Sequence, residues 1–372
     1  MSRPTRAEID LSALQQNLRQ VRRTVGAHCQ ILAMVKADAY GHGVRGVAPA
    51  LAAAGVEQFA VALVDEAREL RELGLSQPIL VMGGIFAGEE DLVVALDLQP
   101  IVDDLAAAQR LDRAGRQAGR IIDYHLKIDT GMGRLGLPPE ELGAFLPRLA
   151  ELSHLRMTGL MSHLAVADEP HRRLNDRQIA SFRAQIARVE AAGFSPHFRH
   201  LANSAALYSR DLPDCNLVRP GIALYGGLTG ETATAEIAQQ PVMRLVSAVA
   251  RLRAIAPGTG VSYGHRFVAS RPSRVAAIPI GYGDGYNRLL SGRGEVLIGG
   301  RRATVAGTVC MDWTMVDVTD LPDVKIGDPV TLLGRDGDDQ ISAAEWAEQV
   351  GSITYEVFCN ISRRVPRVFV GG

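Results

Sequence analysis

Eight short apolar runs, separated by stretches of helical periodicity, fill the first half of the chain and beyond, and they leave few folds open. The runs are ILAMV from Ile31, FAVA from Phe59, PILVMG from Pro78, QPIV from Gln99, DYHLKID from Asp123, RMTGLMSH from Arg156, FRHLAN from Phe198 and LVRPGIAL from Leu217. Between them lie amphipathic stretches such as VDEARELRELG from Val64 and HRRLNDRQIASFRAQIARVEAAG from His171. Apolar strands alternating with such helices predict a parallel sheet covered by helices. Eight units favour a closed (β/α)8 barrel over a doubly wound open sheet. After Gly230 the texture changes. MRLVSAVARLRAIA, SRVAAIPIGYG, GEVLIGGRRATVAGTVC and WTMVDVTDL are rich in Val, Ile and Thr and punctuated by Gly, Pro and Asp, which predicts a mainly β domain. One helix interrupts it at SAAEWAEQVG, opened by Ser342 with Glu345 three residues on, a capping-box pattern. With 372 residues the chain exceeds one ordinary core. The expected division is an α/β, TIM-type barrel over residues 1–228 and a mainly β C-terminal domain over residues 229–372.

Charge excludes some function classes. Lys plus Arg number 40 and Asp plus Glu 41, a formal net charge of −1, which gives no electrostatic case for nucleic acid or an anionic membrane. The N-terminal MSRPTRAEIDLSALQQNL lacks an apolar core of the secretory kind, and no apolar run has the length of a membrane span, so a cytoplasmic location is expected. Cys29, Cys215, Cys310 and Cys359 are far apart and form no CxxC, which reads as reduced thiols with neither a disulfide framework nor a metal site.

In a (β/α)8 barrel the chemistry sits at the C-terminal ends of the strands. Lys36 ends the first run, Lys127 lies in the fifth, and Arg134 follows in the loop DTGMGRLG. His163 ends the sixth run, Asn203 and Ser204 follow the seventh, and Arg219 lies in the eighth before Pro220 and Gly221. Cationic and proton-carrying groups thus converge on one barrel mouth. Lys36 reads either as a lysine whose stem packs while its head stays wet or as a desolvated amine usable as nucleophile and base. Ser204 and the amides of Gly221 and Ile222 suit a phosphate dianion, because barrels often bind phosphate after strands seven and eight. A lysine amine and a phosphate site together describe pyridoxal 5′-phosphate.

AMVKADAYGHG, LKIDTGMGRLG, MSHLAVADE, ANSAAL, VRPGIALYG, SYGHRF, GYGDGY and VCMDWTMVDV, running in order from about Ile9 to Arg367, resemble the bacterial alanine racemases. The motifs of the second, β domain make the resemblance specific. It implies a barrel plus a β domain, working as a head-to-tail homodimer whose active sites are shared between subunits. Lys36 would hold the cofactor covalently, and Tyr40, Ser204, Gly221, Ile222 and Tyr355 would surround its phosphate. Arg219 would face the pyridine nitrogen, with His163 against the ring and supporting Arg219. Arg134 would bond the cofactor phenolate and help seat the substrate carboxylate, and Lys127 matches a position often carbamylated in the family, where it orients Arg134. Tyr263 of the partner subunit would be the second acid/base, and the partner's Met311 would offer its backbone N–H to the substrate carboxylate. Asp312 and Tyr282 would line the entrance or the substrate pocket. The implied reaction interconverts L-alanine and D-alanine and supplies D-alanine for peptidoglycan.

Inverting a centre means removing a proton on one face and returning one on the other, so two bases on opposite faces avoid moving one base across a plane. The resemblance gives Lys36 one face and Tyr263 the other. A tyrosine with its reference pKa of about 10 needs cationic neighbours to work as a base. Arg219 keeps its proton, so it would leave the pyridine a weaker electron sink than a carboxylate partner would. That disfavours the aminotransferase and basic amino-acid decarboxylase readings. A pocket narrowed by Tyr263, Tyr355 and Met311 favours L-alanine over L-serine by about 1–3 kcal/mol per added group. Trp313 stands where the family commonly has Gln, and His265 follows Tyr263 and Gly264; neither replaces a proposed catalytic group. The rivals are a broad-specificity racemase, typically exported, and a cofactor-buffering barrel, which lacks a second domain.

Overall fold

A computed structural model describes residues 3–228, 230, 237 and 239–371. The chain forms two compact units. One comprises Gln15–Ala39 and Val44–Gln239, the other Met1–Leu14, Tyr40–Gly43 and Gln240–Gly372. The first strand in the chain, β1 (Arg6–Asp10), belongs to the second unit.

All eight expected barrel strands form: β2 (Gln30–Met34), β3 (Gln58–Val61), β4 (Ile79–Val81), β5 (Gln99–Val102), β6 (Ile122–Lys127), β7 (Leu155–Met161), β8 (Phe198–His200) and β9 (Leu217–Val218). They make one parallel sheet in the order β8-β7-β6-β5-β4-β3-β2-β9. Closure comes from β8 to β9, where the Asn216 and Arg219 amides donate to the carbonyls of Arg199 and Ala202, each at 3.0 Å. The strands stay apolar because both faces are buried, one by the barrel core and one by the helices. Helix boundaries follow local chemistry. Asp104 accepts from the Ala106 and Ala107 amides to open Leu105–Ala118, and Gly119, left-handed at φ 64, closes it. The stretch after His171 forms the helix Arg173–Ala191.

The second unit contains β10 (Met243–Ala248), β11 (Arg251–Ile255), β12 (Gly260–Val261), β13 (Phe267–Val268), β14 (Ser273–Ile278), β15 (Glu295–Ile298), β16 (Arg301–Thr304), β17 (Thr314–Asp317), β18 (Pro329–Asp336), β19 (Asp339–Ile341) and β20 (Arg367–Val370). Its main sheet runs β16-β15-β18-β10-β1-β20, with β19 paired to β18. A second sheet, β11-β14-β17, packs Val275 with Val261 and Ala306. Within the main sheet β1 pairs antiparallel with β10 and parallel with β20, so a linear cut at 228/229 does not follow these hydrogen bonds. Thr229, the first residue of the expected second domain, lies outside the described residues. The expected helix forms at Ala343–Val350. Ser342 accepts from the Glu345 amide at 3.0 Å, and the Glu345 carboxylate pairs with Arg302.

Candidate active site

Lys36 follows the last buried residues of β2 and opens an unusual turn. Ala37, Asp38, Ala39 and Tyr40 all take left-handed backbone angles, with φ between 53 and 55. Such geometry costs an L-residue about 1–2 kcal/mol, so surrounding bonds must impose it. Glu66 does so from the helix Val64–Glu72. One carboxylate oxygen accepts from the Ala37 amide at 2.6 Å, and the other accepts from Ala62 and Leu63 at the end of β3. Asp38 accepts from the Val44 amide at 2.7 Å. Small residues and an aspartate tolerate this region better than branched ones would.

Arg219 is the centre of the barrel interior. It is 2% exposed and is among the largest fully buried side chains of the molecule. Its guanidinium donates to Nδ1 of His200 at 3.0 Å, to Nδ1 of His163 at 3.1 Å, and to the carbonyls of Ser162 and Leu201 at 2.9 and 3.0 Å. No carboxylate is among these partners. Burial lowers the Arg219 pKa to about 10, which leaves it cationic at neutral pH. His163, at the end of β7, is held down to about 3 by burial and by the Arg219, Arg134, Lys127 and Lys36 charges. Lys127, 4% exposed, is lowered to about 8 by burial and then by Arg134 and Arg219, against Asp103 and Asp129. Arg134 is exposed in a loop shaped by Asp129, whose carboxylate accepts from the amides of Gly131, Met132 and Gly133. After β8, the Ser204 hydroxyl accepts from the Gly221 and Ala223 amides at 2.8 and 3.2 Å, beside buried Ile222. Asn203 caps the short helix that Ser204 opens. Lys36, Lys127, Arg134, His163, Ser204, Arg219, Gly221 and Ile222 therefore lie at or just beyond strand ends of the same barrel.

The remaining expected residues lie in the other unit. Tyr40 is buried and its ring lies 5.9 Å from that of Tyr355. Burial, then Tyr355 and Cys359, push its phenol up. Tyr263 is 72% exposed. Its short turn is strained, with Ser262 at φ 64 and His265 at φ 45. Gly260 accommodates the His265 ring, which a Cβ there would meet at 2.3 Å. Thr308 donates to the Tyr263 carbonyl at 2.8 Å, and Ser262 donates to the Thr308 carbonyl at 2.5 Å. The Tyr282 and Gly283 amides donate to the carbonyls of Cys310 and Met311, both at 3.0 Å. Arg364 bonds Asp312 at 2.6 Å and lies 3.4 Å from buried Asp284, which Arg3 also engages. Met311, Tyr282 and Trp313 are exposed beside one another along this segment.

Sequence reasoning missed several of these groups: His200 and His125 in the barrel interior, Glu66 under the lysine turn, and Thr308, Ser262 and Asp284 in the β unit. One signal was present. His125 and Lys127 are two apart in a strand and so share a face. No cluster of three or more His, Cys, Asp or Glu among the described residues is arranged to hold a metal ion, and no described helix is long and apolar enough to cross a membrane.

A parallel barrel whose strand ends carry amines, a buried guanidinium and an imidazole, in one chain with a β domain, defines the class as a two-domain barrel protein with its polar groups gathered at strand ends. Comparison with known proteins narrows the class. Residues 9–229 match the alanine racemase N-terminal domain and residues 242–369 the alanine racemase C-terminal domain. The alanine racemase of Geobacter sulfurreducens is 49% identical over 99% of this chain and 98% of that protein. The crystal structure of alanine racemase from D-cycloserine-producing Streptomyces lavendulae superposes with a TM-score of 0.94 at 35% identity, covering 100% of this chain and 98% of that one. The alanine racemase of Streptomyces coelicolor A3(2) does so at 0.93 and 38%, covering 99% and 98%. The chain belongs to the alanine racemase family, a family of isomerases.

Proposed function

We propose that this enzyme interconverts L-alanine and D-alanine with pyridoxal 5′-phosphate, using Lys36 and Tyr263 as bases on opposite faces of the substrate. The observation that carries the reading is Arg219, a buried guanidinium held only by imidazoles and carbonyls. The donor set fits the cofactor. An amine stands at a strand end, a hydroxyl and two amides converge after β8, and a cation without a carboxylate partner lies in the barrel. When bound, the cofactor supplies an aldehyde and a conjugated ring that spread the charge left at Cα.

Lys36 would hold the cofactor covalently, and Ser204, Gly221, Ile222, Tyr40 and Tyr355 its phosphate. Arg219 would face the ring nitrogen. Because it keeps its own proton, it would limit how much charge the ring absorbs and so favour return of the proton to Cα. His163 would lie against the ring and hold Arg219 in place. Arg134 would bond the cofactor phenolate and help seat the substrate carboxylate, oriented by Lys127 where that amine is carbamylated. Tyr263 and Met311 would come from the partner subunit of a homodimer, and Asp312 and Tyr282 would line the entrance or the substrate pocket. The 72% exposure of the Tyr263 side chain, within a strained and hydrogen-bonded turn, supports a phenol presented outward to a second copy. The net charge near zero supports a small-molecule substrate and no nucleic acid. A cytoplasmic role feeding D-alanine to peptidoglycan completes the reading.

The test is polarimetry of L-alanine with purified, cofactor-loaded protein, followed by borohydride reduction and peptide mapping. The expected result is decay of rotation to zero and a label on Lys36. Release of carbon dioxide instead, or a label on another lysine, overturns the proposal.

A further inference from the structure

Arg219 does not end the buried polar chain. Nε2 of His200 lies 2.8 Å from Nδ1 of His125, with the two rings edge-on at 5.0 Å and 74°. Both histidines are 0% exposed. Protonation follows from the donors. Arginine only donates, so Nδ1 of His200 must carry a lone pair. A neutral His200 then carries its proton on Nε2 and donates it to Nδ1 of His125. His125 in turn carries its proton on Nε2, and that atom has no partner among the described residues. Burial, and then Arg219, hold both rings well below the usual histidine range, which keeps them neutral.

The backbone is shaped to admit this ring. Between β6 and β7 the register slips at Tyr124/His125, so that His125 faces Gly159. A Cβ at Gly159 would lie 2.4 Å from the His125 ring. A bulge, a glycine and a histidine coincide where barrel interiors ordinarily place Val, Ile or Leu. An unpartnered buried N–H costs about 1–3 kcal/mol, and a leucine here would avoid it. Packing alone therefore does not account for His125.

We propose that His125 is a positioning residue for the racemisation, fixing the tautomer of His200 and through it the orientation of the Arg219 guanidinium. With Nε2–H of His200 committed to His125, Nδ1 can only accept, and Arg219 has one fixed acceptor on that side. Without His125 the Nε2–H of His200 loses its buried acceptor, so the tautomer that Arg219 requires becomes costly and the ring is driven to turn or to carry its proton on Nδ1, facing a cation. Arg219 would then shift, and misplacement on the ångström scale costs up to ~100-fold in rate.

The inference rests on the proposed reaction, but its first readout does not. In cofactor-free protein labelled with 15N-histidine, long-range 1H–15N spectra report each ring's tautomer. Proton on Nε2 and a bare Nδ1 are expected for His200. A proton on Nδ1 of His200 overturns the proposal even if racemisation is found, while normal tautomers in a protein that racemises nothing would sink the reaction and leave this geometry standing. His125→Leu is expected to give mixed His200 tautomers, to shift the absorbance maximum of the bound cofactor, and to lower kcat about tenfold with KM within twofold. His125→Asn, whose side-chain oxygen can accept in place of Nδ1, is expected to restore the tautomer and most of kcat. Equal damage in both variants, or none in His125→Leu, would count against the assignment.

Discussion

Arg219 and Arg302 are both surrounded by acceptors, but of opposite kinds. Arg302, on the C-terminal sheet, reaches Glu295, Asp339 and Glu345, each at 2.8 Å, with a third of its side chain exposed. Glu345, then Asp339 and Glu295, raise its pKa. Arg219, inside the barrel, touches only neutral groups, and its pKa falls. A guanidinium matched by carboxylates is neutralised where it stands and serves to join strands. One held by imidazoles and carbonyls is oriented without being neutralised. On the proposed reading, the barrel interior would serve chemistry at some expense in stability, whereas the Arg302 cluster ties strands of the β sheet together.

Breaking that contrast begins with Lys36→Ala. Racemisation should fall more than ~1000-fold, as loss of an attacking amine demands. The melting temperature should move little, since Lys36 is not part of the buried core. A melt collapsing along with activity would assign the lysine to the scaffold. Tyr263→Phe tests the exception, an exposed residue of the β unit expected to carry chemistry. A loss of about 100-fold in kcat, with unchanged denaturant midpoint, is expected for removal of a general acid/base. Undiminished turnover would remove the second base from the scheme.

Arg219→Leu against Arg302→Leu sharpens the comparison in stability. The first strips a donor from two buried carbonyls, a buried imidazole and a half-buried one, and should cost about 3 kcal/mol or more in urea unfolding. The second breaks partly exposed ion pairs and should cost roughly 1 kcal/mol or less, with activity within twofold. Equal costs would mean that the two arginines do the same work.

A further effect is expected in acid. His125 and His200, fully buried, and His163, half-buried, are neutral, with folded-state pKa values depressed to about 3 for His125 and His163 and well below normal for His200. Their contribution is fully present above about pH 6.5. It is lost as pH falls from there toward 3, because the unfolded chain binds protons that the folded chain refuses. The slope of unfolding free energy against pH between 6 and 4 should be shallower in His125→Leu than in the wild type. Parallel slopes would place a charged histidine in the barrel.

Reading the strands required only local information. Apolar runs of the right length and their bounding turns are written in neighbouring residues, and so is the helix opened by Ser342. The lysine at the end of β2 was legible for the same reason. The strained turn after it was not, because Ala37, Asp38 and Ala39 have no intrinsic reason to go left-handed. Glu66 imposes it from the next helix. Likewise Arg6–Asp10 carries nothing that assigns it to a sheet whose other members come more than two hundred residues later.

From the sequence alone came the alternation of strand and helix, the β texture of the second half, and the set of amines, guanidinium and phenols in recognisable order. Only the tertiary structure decided which of these meet. His125, His200 and Arg219 are separated by 75 and 19 residues along the chain. Their contact depends on barrel closure, on a one-residue bulge, and on a glycine that leaves room for a ring. Periodicity states which face a side chain takes, whereas register and closure, set by the whole sheet, determine what it faces.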